Sequence, residues 1–321
     1  MDSPNNSQVV DNNEQFPRHV QGYYETKCLV PKLSLDNKLL ASLGAHELLR
    51  IETWKGAMTE LVATASLMFT LTTSIIACLD SHEVYPKFLV PFAVFIITFL
   101  FLIVTVPLSG GHMNPVLTFI ATLKGLVTIS RALIYMLAQC MGSIIGFFII
   151  KSVMEPKLIH MYCLGGCAIS GIKQQEALLL EFSCTFVVLF VGITLAFDKK
   201  KSKDLGLPMV CVVVAGSMGL AVFVSITVTG QAGYAGVGLN PARCLGPALL
   251  YGGPLWNGHW VFWVGPFLAC MGYYAVSINL PKQGLVWVDG EYDVLKLAKL
   301  AMGSCGNINV SNIALSSDLQ V

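Results

Sequence analysis

Two asparagine–proline pairs carry the chemistry within reach of this sequence. Asn114-Pro115-Val116 and Asn240-Pro241-Ala242 each open a short, mostly apolar stretch. An asparagine side-chain oxygen caps a helix, and proline suits the first helical position, so each pair predicts the start of a helix. Both helices would be far too short to cross a bilayer. Set end to end, they would aim two positive N-terminal ends and two side-chain amides at one point. Such a centre holds a neutral polar molecule briefly and opposes cations; it selects and makes no bonds. Arg243, directly after the second pair, and Glu60 and Glu181, inside apolar stretches, are the other residues that call for explanation. No nucleophile–base pair or phosphate-cradling loop occurs, so neither an enzyme nor a cofactor is expected. The ten cysteines lack paired Cys-x-x-Cys spacing, and Cys163 and Cys167 stand four apart without a second ligand pair, so no metal is expected.

The elements that must position these residues are membrane spans. Of the 321 residues, 55% are hydrophobic and only 12% charged, and mean hydropathy is +0.67. A soluble domain carries about twice that charged fraction, so the expected solvent, and first partner, is a lipid bilayer. A net charge of +1 gives no reason to expect nucleic acid. Residues 1–55 read as a polar tail without a signal peptide, with a weak amphipathic pattern from Leu35 to Leu49. Six spans follow, over about 56–79, 88–108, 131–150, 176–197, 207–228 and 259–280, each near the length a bilayer requires. Residues 198–204 read as a compact charged loop, 151–174 as a longer one, and 282–321 as a second polar tail.

The apolar domain, residues 56–281, repeats itself as 56–152 and 175–281. Glu60-x-x-x-Thr64 precedes Asn114 by 54 residues, and Glu181-x-x-x-Thr185 precedes Asn240 by 59. Each half has the order span, span, half-helix, span. Three spans per half is odd, so the second half must be inverted and the half-helices must meet from opposite sides near the midplane. Lys and Arg in the short loops, Lys124, Arg131 and the lysines from Lys199 to Lys203, place both termini in the cytosol. The sequons at Asn5 and Asn309 would then carry no glycan.

A carboxylate inside a span is costly and suggests function. A proton relay through Glu60 and Glu181 would make the chain a proton-coupled transporter. The symmetric placement favours another role, in which each carboxylate accepts from unpaired N–H groups of the irregular backbone leading into a half-helix.

The twin Asn-Pro boxes with their repeated Glu-x-x-x-Thr resemble the major intrinsic protein, or aquaporin, family over residues 55–281. Val116 ending the first box, Arg243-Cys244 after the second, and Leu164-Gly165-Gly166-Cys167 resemble in particular the plant X intrinsic proteins. The resemblance implies an all-α membrane protein of six spans and two half-helices, assembled as a homotetramer with one pore per protomer. It implies passive conduction governed by pore width, lining hydrogen-bond groups and electrostatic barriers.

It also implies that Asn114, Pro115, Val116, Asn240, Pro241 and Ala242 line the pore, beside a selectivity filter of Val94, twenty residues before Asn114, with Ile226, Val237 and Arg243. Water-selective members place an aromatic ring and a histidine where Val94 and Ile226 stand. The opening expected here is wider and apolar on one side, suited to glycerol, urea, boric acid and hydrogen peroxide, with low water permeability. Cys244 in place of the aspartate of dedicated glycerol channels, and Phe262-Trp263, keep an ordinary water channel as the alternative. A closed, structural membrane protein is a third reading. The plasma membrane is the expected location. Cys167 and Cys244 both fall on the outer side, where a disulfide is permitted; Cys163 is a rival partner, and a packed free thiol the other outcome. Ser202, among the lysines, is a candidate phosphorylation site on the cytosolic side.

Overall fold

The computed structural model describes residues 43–81, 86–228, 236–280 and 293–294. Within these residues the chain is all helical. Apolar segments in lipid must satisfy their backbone groups internally, and long helices do so. Six helices among the described residues are long and apolar enough to cross a membrane. The chain is built from α1 (Ile51–Asp80), α2 (Pro86–Ser109), the half-helix α3 (Pro115–Leu123), α4 (Ile129–Val153) and a short α5 (Pro156–Met161). The second half comprises α6 (Gln174–Val188), α7 (Lys199–Val228), the half-helix α8 (Pro241–Leu250) and α9 (Val261–Asn279). A π-turn over Leu189–Ile193 carries α6 on to Thr194–Ala196.

The packing obeys the internal repeat. α1 packs on α2 and α4, as α6 packs on α7 and α9, while α2 and α7 meet across the junction of the halves. The half-helices contact across halves: α3 rests on α9 and α8 on α4. The matching contacts extend to single atoms. Ser143 Oγ on α4 donates to Ala242 O of α8 at 2.6 Å, and Cys270 Sγ on α9 approaches Val116 O of α3 at 3.5 Å. Small residues permit the closest crossing. A Cβ added at Gly142 or Gly146 of α4 would stand 2.4 Å from Leu61 O or 2.5 Å from Ala65 O of α1.

Three boundaries differ from expectation. The helical body begins at Ile51, preceded by a 3-10 turn over Ala45–Leu49, inside the segment expected to be tail. The cause is polar: buried Glu47 lies 3.0 Å from Arg131 Nε and accepts from Thr128 Oγ1 at 2.8 Å, tying this turn to the start of α4. Of the amphipathic pattern from Leu35, residues 35–42 lie outside the described residues. The expected charged loop at 198–204 is largely helix. Fully buried Asp198 accepts from the backbone N–H of Lys200 at 3.0 Å and Lys201 at 3.2 Å, capping α7. The break falls later, at Gly206, whose φ of 72° only glycine adopts freely. The long connection 151–174 holds α5 and a 3-10 turn over Cys163–Gly165. The sequons at Asn5 and Asn309 and nearly all of the second tail lie outside the described residues; Asp293 accepts from Tyr274 of α9 at 2.7 Å.

Candidate functional site

The local chemistry of the two boxes is the same. Asn114 Oδ1 accepts from Val116 N at 2.9 Å, and Asn240 Oδ1 from Ala242 N at 3.0 Å and Arg243 N at 3.4 Å. Each asparagine caps its half-helix, with the proline at the first position. The amides do something the sequence does not show: they cross. Asn114 Nδ2 donates to Leu239 O and Asn240 Nδ2 to Met113 O, both at 2.9 Å. One N–H of each amide therefore locks the opposite loop, leaving each amide a second N–H. Both asparagines line the central cavity.

The residues whose carbonyls accept these bonds, Met113 and Leu239, have φ of 47° and 56°. Side chains other than glycine seldom adopt this region, at a cost of ~1–3 kcal/mol each. The strain is held by the carboxylates. Glu60 accepts from His112 N at 3.1 Å, Met113 N at 2.6 Å, Ser109 Oγ at 2.6 Å and Gln139 Nε2 at 2.8 Å. Glu181 accepts from Gly238 N and, at 3.2 Å, from Leu239 N. Both glutamates are fully buried, and neither lines the cavity. Ser109, Gln139 and the left-handed pair Met113 and Leu239 were not singled out by sequence; the glycines Gly110, Gly111 and Gly236 were the available sign of irregular backbone there.

The cavity encloses about 530 Å³ and runs between α1, α2, α7 and the two loops. Val94, Ile226, Val237 and Arg243 all line it. Of each box only the asparagine does so. Pro115, Val116, Pro241 and Ala242, expected as part of the lining, are buried behind it. Val116 is 1% exposed and joins a core with Leu189, Ala269 and Tyr273, so a residue larger than alanine in the first box fills a packing space.

The loop before α8 is held from behind by sulfur. Cys167 and Cys244 form a disulfide with Cα atoms 5.1 Å apart, and Cys163 stays free. Arg243 Nη1 lies 3.0 Å from Cys167 Sγ. A Cβ on Gly238 would stand 2.6 Å from Cys244 Sγ and 3.2 Å from the Phe262 ring. The disulfide thus packs against both the loop that carries Val237 and the guanidinium. Among the described residues no group of acidic, histidine and cysteine side chains is placed to hold a metal.

Residues 47–274 match the family described as Major intrinsic protein. An aquaporin, PIP2-7, of Musa acuminata is 36% identical over 182 residues, 54% of this chain and 60% of that one. A probable aquaporin, TIP3-2, of Arabidopsis thaliana is 33% identical over 163 residues, 50% of this chain and 55% of that one. The match thus spans about 60% of the length of such relatives. In structure the chain is similar to the aquaglyceroporin from Plasmodium falciparum, with a TM-score of 0.55, 19% identity, and coverage of 71% of this chain and 98% of that one. Six apolar helices, two crossed half-helix caps and the family match lead to one conclusion: this chain is a multi-pass membrane protein that belongs to the major intrinsic protein family.

Proposed function

We propose that the chain is a passive channel for small uncharged solutes such as glycerol, urea, boric acid and hydrogen peroxide, with low water permeability. The observation that carries this reading is the composition of the filter. Val94, Ile226 and Val237 are aliphatic and Arg243 alone among the four is polar, and all four line one cavity. A solute with carbon on one side and hydroxyls on the other suits such a wall, and the fixed guanidinium charge and two helix N-termini oppose cations. The name of the structural neighbour, an aquaglyceroporin, is in keeping with this reading, though at 19% identity it speaks to fold alone. The X intrinsic proteins are the proposed subgroup, on the strength of Val116, Cys167 and Cys244. A homotetramer, both termini in the cytosol and residence in the plasma membrane complete the proposal.

An ordinary water channel is the second reading, favoured by relatives that are named aquaporins of the PIP and TIP types. The proton-coupled transporter has less support: Glu60 and Glu181 are spent on loop N–H groups and stand outside the cavity. Reconstituted vesicles exposed to glycerol, urea or a plain osmotic step separate the first two readings. Glycerol and urea influx above that of empty vesicles is expected; water flux without either solute would favour the second reading.

A further inference from the structure

α2 presents one stripe to the cavity: Val90, Val94, Thr98 and Leu102, at four-residue spacing. α7 presents Met218, Val222 and Ile226. Thr98 is the only one of these seven side chains with a hydrogen-bond donor, and it is 6% exposed. Its hydroxyl also differs from several others in the spans. Thr105, on the same helix, donates to Phe101 O at 2.7 Å, and Thr59, Thr73 and Thr122 likewise reach the carbonyl four residues back. Thr98 makes no hydrogen bond among the described residues, and unlike the sealed hydroxyls of Thr64, Thr72 and Thr185 it borders the cavity. A hydroxyl that opens onto the cavity without a protein partner is left to bond whatever occupies the cavity.

We infer that Thr98 is a further selectivity residue, a hydrogen-bonding station for the permeating molecule between Arg243 and the asparagine pair. The inference rests on the channel reading above. Thr98 lies one helical turn, about 6 Å, beyond Val94 along α2 toward the loop that ends in Asn114. A solute leaving the guanidinium gives up one partner before reaching the amides. Arg243 and the asparagine N–H groups only donate, whereas a threonine hydroxyl also accepts. Thr98 can therefore take the hydrogen of a solute hydroxyl or amine that those donors leave unpaired.

The test uses the full chain in proteoliposomes, with Thr98→Val, which keeps the shape and removes the hydroxyl, and Thr98→Ser, which keeps the hydroxyl. Glycerol and water permeability are measured per reconstituted channel, beside the thermal midpoint of each protein in detergent. Thr98→Val should lower glycerol permeability about fivefold, the equivalent of the ~1 kcal/mol of one net hydrogen bond, at an unchanged midpoint. Thr98→Ser should stay within about twofold of the parent. Equal permeability of Thr98→Val and parent, or a loss in Thr98→Ser as large as in Thr98→Val, would overturn the inference. If the parent passes water but no glycerol, the solute reading fails, and the same comparison made on water flux still decides the role of Thr98.

Discussion

In the proposed filter, a guanidinium shares the wall of one cavity with three aliphatic side chains, so the identity of two of them should set which solutes pass. Replacing Val94 by Phe and Ile226 by His narrows the opening and adds a donor. Glycerol and urea flux should fall while water flux holds or rises; unchanged solute-to-water ratios would mean that these side chains do not form the constriction. Arg243→Val removes the charge and the main donor. Discrimination among neutral solutes should loosen, with only a small proton leak because the half-helix ends remain; a leak assay with a pH-sensitive dye inside the vesicles reads this directly. The carboxylates belong to a different argument. Glu60 holds four donors across three elements. Glu60→Gln should therefore act on stability, at about 1.5–3 kcal/mol for a lost charged acceptor, seen as a lower thermal midpoint, and should leave the flux insensitive to an imposed pH gradient.

At the scale of elements, the half-helices were legible because their signal is local. An asparagine cap followed by proline defines a helix start wherever it occurs, and two copies at matched distances from a Glu-x-x-x-Thr define a repeat. The crossing of the amides to Met113 O and Leu239 O was not legible, since each bond joins residues more than a hundred positions apart. At Asp198 two local signals compete: an aspartate ahead of a lysine run caps a helix, while the density of charge in residues 198–204 by itself indicates a loop. Ser202 accordingly sits on helix, its N–H bonded to Asp198 O at 2.8 Å, and phosphorylation there would act on the first turn of α7. The pairing of Cys167 with Cys244 was one of several outcomes open to the sequence, and geometry singled it out. Because that disulfide packs behind Gly238 and beside Arg243, its loss should reach the filter. Cys167→Ala should lower the thermal midpoint, in line with the ~2–4 kcal/mol typical of a bridge, and should also shift glycerol-to-water selectivity. A purely structural bridge would change the midpoint alone. Gly238→Ala should shift selectivity with the disulfide intact, because its Cβ would meet Cys244 Sγ at 2.6 Å.

For the molecule as a whole, the repeat is the organising fact: each half-helix packs on a span of the other half as well as on one of its own. The pattern of α3 on α9 and α8 on α4 makes the central constriction a joint product of both. The six spans and their approximate limits came from apolar length, which the bilayer dictates; the ends moved where buried polar contacts, Glu47 and Asp198, extended helix into what composition presents as loop. If both termini lie in the cytosol, as proposed, epitope tags on both should become accessible only after permeabilisation. The central claim is that a wall of Val94, Ile226 and Val237 opposite Arg243 passes small neutral solutes by diffusion. Light-scattering measurements of glycerol influx into proteoliposomes, with and without an imposed pH gradient, test it most directly. The predicted result is influx well above empty vesicles, the same with and without the gradient, and lost in Val94→Phe/Ile226→His; influx no faster than in empty vesicles, or influx that follows the gradient, would contradict it.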